Sequence, residues 1–231
     1  VIPVSCGCML NDKHISDYES KDDTLISAID TIDSSKGETK NMFYSLPSPI
    51  ETAMLIKRSK VELDNKLLNL VENYNKYSTK NSLALNLGIY RADMSFTSLY
   101  EDVEATYQYF FSVKKVSKNI GISAILDDLD FSELDDGFKS STFLNIMSES
   151  FLKSDAHLIE SGDAEVAAMI VLGSWTECLY MAFQLSENVN HTNPKLINRI
   201  KDQKFALENV VKLLEQLNSD KDIHSLISDV E

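Results

Sequence analysis

A chain of 231 residues, 43% hydrophobic and 25% charged, can bury a sizeable core and has the composition of a globular domain. Seven glycines and four prolines are too few for the many turns of an all-β domain, so a few long elements joined by short loops are expected. A net charge of -14 opposes a phosphate backbone, and the basic cluster Lys195, Arg199, Lys201 and Lys204 is too small for a nucleic-acid footprint, so no nucleic-acid partner is expected.

Residues 1–40 are rich in Ser, Asp, Thr and Lys, with one apolar stripe at Leu25, Ile26, Ile29 and Ile32. They read as a tether holding one short, optional helix, and residues 41–231 as a single helical domain. Ser48-Pro49-Ile50-Glu51 joins a capping serine, a proline at the first helical position and a glutamate three residues on, which predicts a helix to about Ser59. A second helix is expected from Leu63 to about Asn73, with Leu67, Leu68, Leu70 and Val71 turned inward. Tyr77 to Leu99 carries two apolar faces, Leu83, Leu87, Tyr90 and Met94 on one and Leu85, Ile89, Ala92 and Phe96 on the other, so it should pack on both sides. Glu101 to Lys118 is amphipathic and aromatic, with Tyr107, Phe110, Phe111 and Val113, and should stop before Gly121.

From Ile122 to Glu165 eleven acidic residues face only Lys139 and Lys153, so this region holds most of the excess negative charge. Helices are expected from Ser140 to Ile159, from Ala164 to about Leu185 after Gly162-Asp163, and from Asn193-Pro194 to about Asn218, with a last turn after Asp222. In the helix from Ala164, Glu177 is the only formal charge between Val166 and Leu185. Its length is near that of a membrane span, but Ser174, Thr176, Glu177 and Gln184 make it the buried central helix of the domain. The pattern is all-α: a single array or irregular bundle of seven or eight antiparallel helices, tetratricopeptide-like in packing at most. Leu87-Gly88-Ile89-Tyr90 and Leu172-Gly173-Ser174-Trp175 share Leu-Gly-x-aromatic inside two central helices, as if both glycines permit close crossing. Their spacing of 85 residues is far from the repeat of about 34 that a tetratricopeptide unit requires.

Motifs of catalysis are missing. Asp128, Asp130 and Ser132 sit at calcium-loop spacing, but Glu133 stands where the loop needs Gly and Lys139 where it needs Glu. His14, His157, His191 and His224 are scattered, and no zinc, nucleotide-loop or nucleophile-elbow pattern occurs, so neither a metal nor a cofactor is expected. Cysteines occur at Cys6, Cys8 and Cys178, which cannot build a disulfide framework, and Cys178 reads as a small buried hydrophobe. What remains is a set of polar groups on the two most apolar helices: Tyr90, Arg91 and Asp93 on one, Trp175, Glu177 and Tyr180 on the other. A buried Glu177 must meet a cation, collect hydrogen-bond donors or stay protonated, and Arg91 is the expected partner. An internal ion pair fixing helix register is the first reading of this group, and a ligand pocket floored by it the second.

Val1-Ile2-Pro3-Val4-Ser5-Cys6 resembles the end of a bacterial lipoprotein signal, which implies lipidation at Cys6 and a membrane contact through that lipid alone, with an ordinary tail as the alternative. Phe43-Tyr44-Ser45-Leu46-Pro47-Ser48-Pro49-Ile50-Glu51-Thr52-Ala53, Tyr77-Ser78-Thr79-Lys80 and Asn86-Leu87-Gly88-Ile89-Tyr90-Arg91-Ala92-Asp93 resemble a group of uncharacterised, exported helical proteins of Bacteroidetes bacteria, over residues 43 to about 185. That resemblance implies an exported bacterial protein of the periplasm or outer membrane and carries no activity. The expectation is a tethered domain that binds a protein or a small ligand. A cytoplasmic structural or regulatory protein, and an enzyme with a site at Arg91, Asp93 and Glu177, are the rivals.

Overall fold

The computed structural model describes residues 49–123, 126, 139–188 and 194–216, and among these every regular element is helical. Six α-helices follow one another: α1 (Pro49–Arg58), α2 (Lys80–Leu99), α3 (Val103–Ile120), α4 (Ser140–Glu160), α5 (Ala164–Asn188) and α6 (Pro194–Gln216). Cys6 and the tether, the acidic run from Asp127 to Asp136 and the turn expected after Asp222 lie outside the described residues.

Local chemistry sets the boundaries. Thr79 Oγ1 accepts the Ser82 amide at 3.1 Å while Ser82 Oγ accepts the Thr79 amide at 3.1 Å, a reciprocal cap that starts α2 at Lys80, within the Tyr77–Lys80 stretch where the sequence opens this helix. Asp102 Oδ1 accepts the Ala105 amide at 3.0 Å and opens α3, which ends at Gly121 with φ +87°, a left-handed cap that glycine adopts without strain. Between α2 and α3 the turn is only Tyr100, Glu101 and Asp102, so the two helices fold back on each other, and Thr106 Oγ1 reaches Thr97 Oγ1 at 3.2 Å. Helix α1 closes over this corner. The Lys57 ammonium donates to the Leu99 carbonyl at the C-terminal end of α2 and lies 3.6 Å from Glu101.

The segment from Leu63 to Asn73 is not the expected helix. It holds two short 3-10 helices, Asn65–Leu67 and Val71–Lys76, separated by Leu68 and Leu70 in extended backbone conformations. Neighbouring helices capture its backbone groups: Tyr109 Oη donates to the Asn69 carbonyl at 2.8 Å, Tyr90 Oη to the Leu70 carbonyl at 3.0 Å and Ser112 Oγ to the Val71 carbonyl at 3.3 Å. Those tertiary bonds outweigh the modest helix propensity of a short leucine-rich stretch. Of the four residues expected inward, Leu68 is buried, Leu67 and Val71 are half-buried and Leu70 is 65% exposed.

The centre of the fold is the packing of α2 on α5. These helices are far apart in sequence and run in the same sense, since Lys80 bonds Asp163 at 2.6 Å near their starts and Gly88 and Asp93 lie against Ile170 and Glu177 further along. They meet backbone to backbone. A Cβ on Gly88 would stand 2.0 Å from the Ile170 carbonyl oxygen, and one on Gly173 would stand 1.9 Å from that of Leu85. Ser174 Oγ donates to the Gly88 carbonyl at 3.0 Å across the same contact.

From Tyr90 to Ser98 every residue of α2 is buried, so this half of the helix is enclosed all round, by α3 and α4 as well as α5. Phe96, Met94, Phe143, Met147, Met169 and Met181 fill the space, and Phe110 meets Phe143 edge to face at 6.4 Å. Residues Ala164–Ser186 of α5 have the length and hydropathy of a membrane span, but 72% of that apolar stretch is buried inside the protein, as in a core helix. Gly88→Ala and Gly173→Ala each insert a methyl into a contact with backbone that cannot swing aside. Each is expected to lower the unfolding free energy in urea by about 3 kcal/mol or more, whereas Gly121→Ala, with open space around its Cβ position, costs about 1 kcal/mol for its backbone conformation.

Candidate functional site

Because α2 and α5 run in the same sense from their glycine contact, Asp93 and Glu177, each just over one turn beyond it, come face to face. Asp93 is fully enclosed and Glu177 is 8% exposed. The Asn69 amide donates to Asp93 Oδ2 at 3.1 Å, while Asp93 Oδ1 and Glu177 Oε1 meet no donor among the described residues. Two ionised carboxylates in contact repel each other, so a proton must lie between them for these oxygens to be satisfied. Burial and the neighbouring Glu177 push Asp93 well above the usual carboxylate range. Burial pushes Glu177 up to about 7, against the hydrogen bond from Asp93, which pulls it down. Burial and mutual repulsion thus favour a proton held by the pair as a unit.

Two tyrosines complete this polar knot, with ring centroids 6.2 Å apart. Burial pushes the Tyr90 and Tyr109 hydroxyls well above their ordinary value, helped at Tyr90 by Tyr77 and at Tyr109 by Asp93 and Glu177. Both stay neutral donors and stitch down the carbonyls of Asn69 and Leu70. The pair thus holds the backbone at Asn69 and Leu70 from within.

Arg91 does not meet Glu177. Its Nη1 donates to Asp155 Oδ1 at 2.7 Å and its Nη2 to Ser154 Oγ at 2.7 Å, both on α4, and the guanidinium lies 4.3 Å from the centroid of Phe151. The helical turn explains the difference. Residues two apart on a helix point about 200° apart, so Arg91 faces α4 while Asp93 faces α5 and Asn69. Burial raises Asp155, and Arg91 beside it pulls it back down. The same spacing separates Trp175 from Glu177: Trp175 Nε1 donates to Gln203 Oε1 of α6 at 2.8 Å. Tyr180 is 41% exposed. Of the six residues singled out in the sequence, Tyr90, Asp93 and Glu177 are brought together, and Arg91, Trp175 and Tyr180 each face elsewhere. Asn69, Tyr109 and Tyr77 join the knot without having been expected there.

No cluster of three or more His, Cys, Asp or Glu that could hold a metal occurs among the described residues, and Cys178 is buried. The chemistry open to the interior is proton sharing. A different feature lies on the surface: an open depression of about 410 Å³ between the 3-10 helix from Val71 and the first half of α3, lined by Val71, Glu72, Tyr74, Tyr107, Gln108, Phe111 and Ser112. Tyr74 and Phe111 stand nearly perpendicular, 80° between planes and 6.4 Å between centroids, and Phe111 is 52% exposed. A second cavity, of about 10 Å³ beside Thr52 and Cys178, is too small for anything but solvent. In sequence the groove had a signal in Tyr107 and Phe111, four residues apart on α3 and both off the face carrying Phe110 and Val113. Comparison with family models, with curated proteins and with solved structures returns no match.

The carboxyl pair makes stability depend on pH in a defined direction. Both acids have folded-state values above their ordinary 3.8 and 4.5, so the folded protein holds protons that the unfolded chain has lost. Their contribution is full below about pH 4 and declines as the pH rises through about 7, where Glu177 ionises. Urea unfolding between about pH 5 and 8 should show Glu177→Gln losing less stability than the parent, by on the order of 2 kcal/mol. Equal slopes would mean that Glu177 is already ionised in the folded protein at pH 5.

Proposed function

We propose that this protein is a binding domain: a rigid helical framework that presents the Val71–Phe111 groove to a partner or small ligand, carried on its N-terminal tether outside the cytoplasm. The observation that carries the reading is the contrast between inside and outside. Tyr90, Arg91, Asp93 and Glu177 line neither described cavity, whereas the surface depression is lined by Tyr74, Tyr107 and Phe111. It is an open depression on the surface, lined almost wholly by apolar atoms. An internal knot of this kind orients helices, which favours a binding role over a reaction at Arg91, Asp93 and Glu177.

Amide chemical shifts followed during titration with a fragment mixture test the site. Perturbations should cluster at Val71, Glu72, Tyr74, Tyr107 and Phe111. Perturbations centred on Arg91, Asp93 and Glu177 would favour the enzyme reading instead. The tether reading rests on Ser5-Cys6 and on the resemblance to exported proteins. Mass spectrometry of the protein from bacterial membranes should find a lipid on Cys6, and Cys6→Ala should move the protein to the soluble fraction; unmodified, soluble native protein would overturn it.

A further inference from the structure

The carboxyl pair is not covered equally on all sides. Asp93 and Glu177 stand on helices of 20 and 25 residues that are locked together at Gly88 and Gly173. A thinner cover lies on Asp93: residues 65–76, two short 3-10 helices and the link between them, in which Leu68 alone is buried. The Asn69 amide donates to Asp93 Oδ2 at 3.1 Å, so this strap rests directly on the pair. Tyr109, Tyr90 and Ser112 hydroxyls hold it through the carbonyls of Asn69, Leu70 and Val71.

No positive charge compensates the pair from the elements around it. Tyr90 of α2 stands beside Asp93 and Tyr109 of α3 beside both acids, while Glu72 of the strap and Asp102 add negative charge at Tyr109. Tyr77, next to Tyr90, accepts from the Asn69 side-chain amide at 3.3 Å. Arg91 is turned to Asp155 on α4, Lys57 of α1 to Leu99 and Glu101, and α6 meets Trp175 through Gln203. Among the described residues no cation pairs with either carboxyl. A carboxylate formed in such a place needs water, which enters at least cost where the cover is held by a few hydrogen bonds and not by a packed helix. We propose that residues 65–76 form a pH-sensitive strap: loss of protons from the Asp93–Glu177 pair lifts the Asn69–Leu70 backbone off Asp93 while the α2–α5 crossing stays closed. By linkage, the closed form holds protons that the open, hydrated form gives up, because both acids stand above their ordinary values when enclosed. Closure is therefore strongest in acid and weakens as the pH rises through about 7. Val71, Glu72 and Tyr74 belong to the strap, so its release reshapes the surface depression whether or not a ligand is taken up there.

Native-state amide exchange on the whole chain tests the strap, with protection taken as the rate relative to an unstructured peptide at the same pH. Protection at Asn69 and Asn73, whose amides bond Asp93 and the Leu70 carbonyl, should fall at least about tenfold between about pH 5 and 8. Low urea should leave it unchanged, since a local opening exposes little surface. Amides from Leu87 to Phe96 should be far better protected at each pH and should lose protection with urea. Glu177→Gln should shrink the fall at Asn69 several-fold, and adding Asp93→Asn should abolish it. Glu72→Gln, which leaves both acids in place, should keep it. Equal protection of Asn69 at the two pH values overturns the proposal. So does loss of Asn69 protection with urea in parallel with α2, which would make the opening global. A pH step that disappears in Glu72→Gln also overturns it, by placing the origin in surface charge.

Discussion

Contact between α2 and α5 at Gly88 and Gly173 constrains everything else in this fold. With no side chain at either position, two apolar helices approach until a serine on one bonds a backbone carbonyl on the other. Such closeness raises the number of packed atoms along both helices and leaves little freedom to slide or rotate. Their register then decides which residues face each other further along. Asp93 and Glu177 are opposed because the crossing puts them there, and Arg91 and Trp175 are turned towards α4 and α6 for the same reason.

A buried pair of acids at the heart of a protein is costly unless a proton is shared. Here a shared proton offsets that cost at acidic pH, less so as the pH rises through about 7, and the pair extends its hold outward. Asp93 takes the Asn69 amide, Tyr109 the Asn69 carbonyl and Tyr90 the Leu70 carbonyl, so the backbone between the two 3-10 helices is tied to the interior. Its continuation, Val71 to Tyr74, is one wall of the aromatic groove. The interior hydrogen bonds therefore reach the surface through this segment, and a ligand taken up there, as proposed, would meet a wall already anchored.

Much of this was legible in the sequence, and the reasons differ by element. Helices α2 to α6 announced themselves through apolar periodicity and through local punctuation at Thr79, Gly121, Gly162 and Pro194, because caps act within a few residues of chain. The shared Leu-Gly-x-aromatic pattern correctly suggested close helix crossing, and the helices that carry it lie side by side. Glu177 was recognisable as a buried acid from its apolar neighbours alone. Its partner was not, since choosing between Arg91 and Asp93 requires the rotation of α2 relative to α5, which no local pattern contains. The loss of the helix from Leu63 has the same origin: its backbone is claimed by Tyr90 and Tyr109, and those bonds exist only once α2 and α3 are in place. The groove depended on the same unforeseen segment for half its lining.

Native-state hydrogen exchange measures most directly whether the α2–α5 crossing is the element on which the rest depends. Amides around Leu87 to Phe96 and Ile170 to Met181 should exchange together, at the slowest rates in the protein and only through global unfolding, with α1 and α6 opening at lower free energy. Exchange of α2 or α5 ahead of α3 and α6, or at free energies well below global stability, would contradict the account.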